Sequence, residues 1–118
     1  MATAANRLAI GVRAATVTLC IAVGAHASLA QAKTWTVKIA GMQFEPATVT
    51  VVRGDTVVWV NDDVVAHTAT SSVAGGFDSH AIAPGGKWQY QAKAPGRYTY
   101  ACTFHPTMQA TLIVKEKP

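Results

Sequence analysis

The feature that most limits how this chain can fold is a series of short segments rich in β-branched and aromatic residues, each bounded by glycine or proline. Two clear examples, residues 48–52 and 56–60, flank the turn Arg53-Gly54-Asp55. Such residues favour strands, glycine and proline mark turns, and no segment repeats with a helical period. The sequence therefore predicts an all-β fold, a sandwich or a barrel, in which these two strands pair as a hairpin.

The remaining segments extend the same interpretation. Because successive side chains of a strand alternate between its faces, Tyr98, Tyr100 and Cys102 share one face of the segment over residues 97–102. If that face covers the core, the thiol of Cys102 points inward, away from water and oxidants. Further strands are predicted over residues 35–40, 87–91 and 109–115, and loops over residues 42–47 and 71–83.

The first 32 residues have the composition of a secretory signal peptide. Residues 1–13 carry two arginines and no acid, residues 14–25 are mostly small and apolar, and residues 30–32 read Ala-Gln-Ala. A basic start, a short apolar stretch and an A-x-A end are typical of a cleaved export signal, and the stretch is short for a membrane-spanning helix. We expect cleavage after Ala32; cleavage after Ala27 and a retained N-terminal anchor are the alternatives.

Cleavage after Ala32 leaves residues 33–118 as a single domain in the periplasm. Cys20 is lost with the leader, so Cys102 is the one remaining cysteine and the domain has no internal disulfide. Two of the ten Lys and Arg residues belong to the leader, so eight remain against six acids, and they are scattered. Because they form no basic stripe, nucleic acid is not an expected partner. We expect a monomer that does not insert into a membrane.

The chemically distinctive residues lie between Cys102 and Met108. Cysteine, histidine and methionine follow one another at intervals of three, as Cys102, His105 and Met108. On a tight loop between two strands, this spacing directs a thiolate, an imidazole and a thioether toward one point. Two histidines and a cysteine with a weak axial methionine form the ligand set of blue-copper electron-transfer sites, and the thioether favours copper over zinc.

This loop supplies one histidine, so a second must come from elsewhere. The domain offers His67, which follows closely after a strong predicted strand, and His80, which lies in a glycine-rich loop. A metal ligand benefits from a rigid scaffold, so His67 is favoured and His80 is the alternative. Met42 is the alternative to Met108 as the axial ligand, but its place on an edge segment favours a packing role.

The residues around these positions resemble the cupredoxin family, and within it the amicyanins. The Cys-x-x-His-x-x-Met spacing is similar to the short loop of amicyanins, whereas pseudoazurins and plastocyanins have longer loops. The resemblance extends over nearly all of residues 33–118. It is carried by Phe44-Glu45-Pro46, residues 51–61, His67-Thr68, Phe77-Asp78-Ser79, Ala83-Pro84-Gly85 and residues 95–108.

The resemblance implies a Greek-key β-sandwich that holds one copper ion of type 1. The implied ligands are His67, Cys102, His105 and Met108, the same four that the spacing favours. The implied function is the shuttling of single electrons between redox proteins, with no catalytic residue and no enzymatic activity. Resemblance to amicyanins further suggests an amine dehydrogenase as electron donor and a c-type cytochrome as acceptor.

Two residues depart from the amicyanin pattern. Thr68 stands where asparagine is common, and its hydroxyl is able to tie this loop to the cysteine loop by a hydrogen bond. Phe104 stands where proline is common, and unlike proline it has a backbone N–H. We expect that N–H to donate to the sulfur of Cys102 and so to raise the reduction potential.

Other functions fit parts of the sequence. Copper storage, delivery or resistance uses the same ligands but requires fast exchange of the metal. An enzyme with a Cys102–His105 nucleophile pair needs an orienting third group, and the sequence offers no obvious one. A nitrite-reductase-like copper enzyme needs a second copper domain, for which 118 residues are too few.

Overall fold

The computed structural model of the chain describes residues 11–12, 14–24 and 30–118, and within these residues it has seven strands and no helix. Ala27, the alternative cleavage position, lies outside the described residues. In the described ranges there is consequently no helix of the length and apolar character needed to cross a membrane. The strands are β1 (Thr34–Ala40), β2 (Gln43–Glu45), β3 (Thr48–Val52), β4 (Thr56–Asn61), β5 (Lys87–Gln91), β6 (Gly96–Ala101) and β7 (Gln109–Lys115).

The strands form two mixed sheets around one apolar core. The first sheet has the strand order β2-β1-β4-β5, and the second has the order β3-β7-β6. The pairs β1/β4 and β3/β7 are parallel, and the other neighbours are antiparallel. Buried residues of both sheets belong to the same hydrophobic cluster. The prediction of an all-β sandwich is therefore confirmed.

The predicted hairpin between residues 48–52 and 56–60 is wrong, because the two strands belong to different sheets. β3 pairs with β7, whereas β4 pairs with β1 and β5. The connection through Gly54, whose φ is 96°, carries the chain from one sheet to the other. Both strands have alternating buried residues, so facing each other across the core buries both apolar faces. Local sequence does not distinguish this arrangement from a hairpin.

The predicted irregular segment over residues 42–47 contains a short edge strand. β2 pairs antiparallel with β1, and Gly41 and Met42 form the two-residue turn between them. The φ angles of these two residues are 58° and 59°, as a type I′ hairpin turn requires. Methionine is an uncommon residue in this left-handed region, so other contacts must hold the turn.

Trp59 lies at the centre of the core and is completely buried. Its ring centroid lies 5.3 Å from that of Phe77, 5.5 Å from that of Trp88 and 5.6 Å from that of Tyr100. Its indole N–H donates to the hydroxyl of Tyr100 at 3.1 Å. Burial raises the pKa of Tyr100 to about 12, although this hydrogen bond acts to lower it. Because Trp59 lies on β4 and Tyr100 on β6, the aromatic cluster joins the two sheets.

Strand β6 turns its tyrosines toward the core, as predicted. Tyr98 and Tyr100 are each 4% exposed, whereas Thr99 between them is exposed. Cys102, which follows the strand on the same face, is 0% exposed. The period-2 pattern therefore located the thiol correctly.

The long connection between β4 and β5 brings two distant parts of the chain together. Residues 62–86, all of which are described, form no strand, which confirms the predicted loop over residues 71–83. Isolated β-bridges pair His67 with Ile82 and Thr70 with Ala101. Because Ala101 ends β6, the second bridge holds this connection beside the segment that carries Cys102.

Candidate metal centre

Cys102 begins a tight loop that returns the chain to its starting point. The backbone N–H of Cys102 donates to the carbonyl of Met108 at 3.1 Å, and the N–H of Met108 donates to the carbonyl of His105 at 2.9 Å. The N–H of His105 donates to the carbonyl of Cys102 at 3.3 Å. These bonds hold the three residues in one compact turn, as the spacing predicts.

His67 is completely buried and is held at both its backbone and its ring. Its backbone N–H donates to the carbonyl of Ile82 at 3.2 Å, and the N–H of Ile82 donates back at 2.7 Å. The ring Nε2 lies 2.8 Å from Oδ2 of Asp63. An ionised carboxylate only accepts hydrogen bonds, so Nε2 of His67 must be the donor. In a neutral imidazole the hydrogen is then on Nε2, and Nδ1 keeps the lone pair that binds a metal.

Asp63 is a residue of this site that the sequence interpretation missed. Its carboxylate also accepts the backbone N–H of Gly41 at 2.8 Å and that of Met42 at 3.0 Å. The hydrogen bond from Met42 lowers the pKa of Asp63 most strongly; burial opposes it, and Gly41 and His67 lower the pKa further. Asp63 therefore connects the β1–β2 turn to His67. The sequence does place Asp63 four residues before His67. That spacing indicates a contact in a helix but not in a loop, so it did not predict this hydrogen bond.

Three donor atoms converge between the two segments. The ligand atoms of His67, Cys102 and His105 all lie within 4.8 Å of one another. The sulfur of Cys102 lies 3.7 Å from Nδ1 of His67 and 3.7 Å from Nδ1 of His105. With metal–nitrogen and metal–sulfur bonds of ~2.0 and ~2.3 Å, trigonal ligation separates nitrogen from sulfur by about 3.7 Å. A first-row transition metal ion therefore fits these three donors.

The other candidate ligands differ sharply in burial. Met108 is 4% exposed and belongs to the same loop as Cys102 and His105, whereas Met42 is 42% exposed. The side chain of His80 is 87% exposed, and its Nδ1 lies 3.7 Å from a carboxylate oxygen of Asp78. His80 is not part of the cluster formed by the other two histidines of the domain and Cys102.

Thr68 ties the two segments together through its hydroxyl, as expected. Its Oγ1 accepts the backbone N–H of Thr103 at 2.9 Å and the hydroxyl hydrogen of Thr70 at 3.0 Å. The expected bond from Phe104 to the sulfur is not among the hydrogen bonds of residues 30–118. The sulfur of Cys102 instead accepts the backbone N–H of Thr68 at 3.3 Å. The hydrogen bond to the sulfur therefore comes from the segment that carries His67.

The centre reaches the surface on the side of His105. His105 is half-buried, whereas His67 and Cys102 are completely buried. The residues on either side of His105 are exposed and apolar, with Phe104 54% exposed and Pro106 also exposed. One imidazole of the cluster therefore borders an apolar edge of the molecule.

The comparison with known families accounts for this combination of a β-sandwich with a His-Cys-His cluster. The family of cupredoxin-like domains matches residues 12–114. The chain therefore belongs to the cupredoxin family, and its cofactor is one copper ion of type 1. The two imidazole nitrogens and the sulfur described above fit that ion.

Within this family, the chain is similar to amicyanins. Amicyanin-alpha of Methylorubrum extorquens is 30% identical over 83 residues, which cover 67% of this chain and 70% of the relative. The structure of amicyanin from Paracoccus versutus matches with a TM-score of 0.64 and 29% identity, over 70% of this chain and 81% of that one. A copper-containing nitrite reductase of Thermus scotoductus matches 83% of this chain with a TM-score of 0.67 and 30% identity, but only 25% of its own chain. The predicted resemblance is confirmed.

Proposed function

We propose that this chain is a periplasmic electron carrier whose copper ion is held by His67, Cys102, His105 and Met108. The observation that carries the proposal is the convergence of two Nδ1 atoms on the sulfur of Cys102, each at 3.7 Å. Together with the buried thioether of the same loop, these donors make up the ligand set of blue-copper electron-transfer sites. When bound there, copper supplies a one-electron couple between Cu(I) and Cu(II).

The protein's part in electron transfer is to hold its ligands still. Cu(I) and Cu(II) prefer different geometries, so a fixed set of ligands reduces the rearrangement that each electron requires. His67 is fixed by two backbone bonds and by Asp63. Cys102 is fixed by the N–H of Thr68. Both residues are completely buried, and the bridge from Thr70 to Ala101 ties the His67 segment to the end of β6.

His105 is the proposed exit for the electron. It is the half-buried member of the cluster and is flanked by exposed Phe104 and Pro106. Redox partners form small, transient interfaces, and an apolar edge suits them because no charge has to be desolvated. Following the resemblance to amicyanins, we propose an amine dehydrogenase as the donor class and a c-type cytochrome as the acceptor class.

Burial favours this function over the alternatives. A copper-delivery protein must release its metal readily, whereas His67 and Cys102 are both 0% exposed. A nucleophilic cysteine must contact its substrate, which a completely buried sulfur cannot do. Slow loss of copper to a chelator in both oxidation states is the expected result for a carrier; rapid loss in either state would support delivery.

The ligand set is tested by an optical spectrum of the copper-loaded protein. Wild type should show intense blue absorption that ascorbate bleaches. Cys102→Ala and His67→Ala should abolish this band, and Met108→Leu should alter it. The matched controls are His80→Ala and Met42→Leu, which change the alternative histidine and methionine and should leave the band intact. A blue band that survives Cys102→Ala would contradict the proposal.

A further inference from the structure

Asp55 is a buried carboxylate whose direct hydrogen-bond donors are all neutral. It is 1% exposed. Its Oδ1 accepts the backbone N–H of Lys33 at 2.8 Å, and its Oδ2 accepts the indole N–H of Trp35 at 2.9 Å and the N–H of Val52 at 3.2 Å. None of the ion pairs in the described part of the chain includes Asp55. The side-chain charge of Lys33 attracts this carboxylate and lowers its pKa, but it acts from a distance. Buried carboxylates usually have a charged partner in contact, so a positive charge at one of these donor positions would stabilise Asp55 further.

Within the described residues, Lys33 is the first whose backbone is hydrogen-bonded to the sandwich. Its carbonyl accepts the backbone N–H of Thr56 at 2.8 Å, and β1 begins at the next residue, Thr34. Residues 30–32 are exposed and belong to no strand. They are also the Ala-Gln-Ala sequence that the export-signal pattern selects for cleavage. The nitrogen at this predicted boundary is the same nitrogen that donates to Asp55.

We infer that removal of the leader places a positive charge in direct contact with Asp55: hydrolysis of the Ala32–Lys33 peptide bond by a signal peptidase turns this nitrogen into an α-ammonium that pairs with the carboxylate. Water supplies the hydroxyl of the new carboxyl group on Ala32 and one hydrogen of the new amine. The amine then takes a proton from solvent at neutral pH. We call the product, the α-ammonium of Lys33 with the carboxylate of Asp55, the N-terminal ion pair.

The N-terminal ion pair changes the strength of an existing contact and leaves its position unchanged. A charge-assisted hydrogen bond is roughly twice as strong as a neutral one. Lys33 is an exposed residue, and the carboxylate is already buried in the uncleaved chain, so cleavage buries no additional carboxylate. Cleavage after Ala27 would instead leave a neutral amide on Asp55 and put the ammonium on Ser28, five positions before Lys33. The inference therefore depends on one cleavage position.

This ion pair is independent of the proposed copper ligands. Asp55 directly precedes β4, whereas the segment that carries His67 follows the other end of that strand. The six residues of β4 separate the two places by about 20 Å. The inference rests on the proposed export of the chain and not on its metal, so its failure would leave the copper site untouched.

The test compares two copper-loaded proteins that differ by one residue at the N-terminus. One begins at Lys33 and the other at Ala32, so that both have an α-ammonium but only the first has it on Asp55; the seven strands lie wholly within both. The first should have a Tm higher by about 4 °C at pH 7. This difference should fade as the pH rises past about 8, where α-amines lose their proton, and should vanish when both proteins carry Asp55→Asn. Equal Tm values, or a difference that persists with Asn, would overturn the inference.

Two further measurements do not depend on the folding of the Asp55→Asn variants. An amine-acylating reagent at pH 7 should modify the α-amine of the Lys33-first protein several-fold more slowly than that of the Ala32-first protein, and equal rates would count against the ion pair. The intact mass of the chain recovered after export should correspond to residues 33–118. A chain that begins at residue 28 would refute the processing site itself.

Discussion

At the scale of single residues, Asp63 most affects the site without being a proposed ligand. It bonds the ring of His67 and two backbone N–H groups of the β1–β2 turn. Such a partner fixes which imidazole nitrogen carries the hydrogen and increases the basicity of the other. The same carboxylate also supports Met42 in its left-handed conformation. One side chain therefore supports the β1–β2 turn and orients the ring of His67, a proposed copper ligand.

Replacing this carboxylate should weaken copper binding while the fold is retained. Asp63→Ala removes the acceptor of His67, so we expect copper affinity to fall by about 10- to 100-fold. The measurement is competition with a chelator of known affinity, alongside circular dichroism as a check on the fold. Asp62→Ala is the matched control, because it removes the same charge from the neighbouring residue, whose carboxylate forms an exposed ion pair with Lys38 at 3.8 Å. Equal affinities of the two variants would show that Asp63 acts only through its charge.

At the scale of elements, the site depends on the hydrogen bonds between the segment that carries His67 and the loop that carries Cys102. The connection after β4 and the loop after β6 share the bridge from Thr70 to Ala101. They also share three hydrogen bonds at Thr68. Its N–H donates to the sulfur of Cys102, its hydroxyl accepts the N–H of Thr103, and the hydroxyls of Thr68 and Thr103 lie 3.2 Å apart. Each segment contributes proposed ligands that the other lacks. Geometry at the metal is therefore a property of the pair of segments.

The hydroxyl of Thr68 should be necessary for holding these two segments together. Thr68→Val keeps the shape but leaves the N–H of Thr103 without its acceptor, which costs about 1–3 kcal/mol of unfolding free energy if that group stays dry. Denaturant unfolding measures the loss, and copper release to a chelator should be faster as well. Thr68→Ser, which keeps the hydroxyl, is the control and should behave nearly as wild type. Equal unfolding free energies and copper-release rates for the valine and serine variants would show that the hydroxyl does not hold the two segments together.

At the scale of the whole molecule, the sandwich has a buried aromatic core and one edge, at His105, where the proposed copper site approaches the surface. The aromatic cluster around Trp59 joins both sheets, and the buried ligands lie at one end of that core. The half-buried His105 lies between exposed Phe104 and Pro106. The proposed docking edge is therefore small and apolar, and the sulfur of Cys102 stays buried behind it.

A charge placed on this edge should slow electron transfer without removing copper. Pro106→Glu should lower the rate of electron self-exchange between oxidised and reduced copies, because two like charges would meet at the contact. NMR line broadening in mixtures of the two forms measures that rate. Gln91→Glu adds the same charge at the other end of β4 and should have a much smaller effect. An unchanged rate in Pro106→Glu would contradict the proposed docking edge.

The whole domain should also lose stability in acid through Asp55. Burial raises the pKa of this carboxyl, but hydrogen bonds from Lys33, Trp35 and Val52, together with the positive charge of Lys33, outweigh it, so the pKa lies below its ordinary value of 3.8. A lowered pKa in the folded state gives stability that is present above the unfolded pKa and is lost as pH falls through the folded one. Urea unfolding between pH 6 and about 2 should show this loss. Asp55→Asn should be less stable at pH 6 and should lose less on acidification; an unchanged slope would exclude Asp55 as its cause.

The sequence by itself determined the class of fold, the inward direction of Cys102 and the loop that joins it to His105 and Met108. These features are local, because alternation along a strand and spacing along a loop are fixed by backbone geometry. The resemblance to cupredoxins was equally readable, since it rests on identities within short stretches. Even the choice of His67 over His80 followed from its closeness to a strong strand.

Only the tertiary structure decided which strands are neighbours and what surrounds the site. The turn at Gly54 suits a hairpin as well as a crossing between sheets, and burial of both apolar faces selected the crossing. The contacts of Asp63 with the β1–β2 turn, and of Asp55 with Lys33, join residues more than 20 positions apart. No local pattern encodes such contacts, because they form only when separate segments pack against one another.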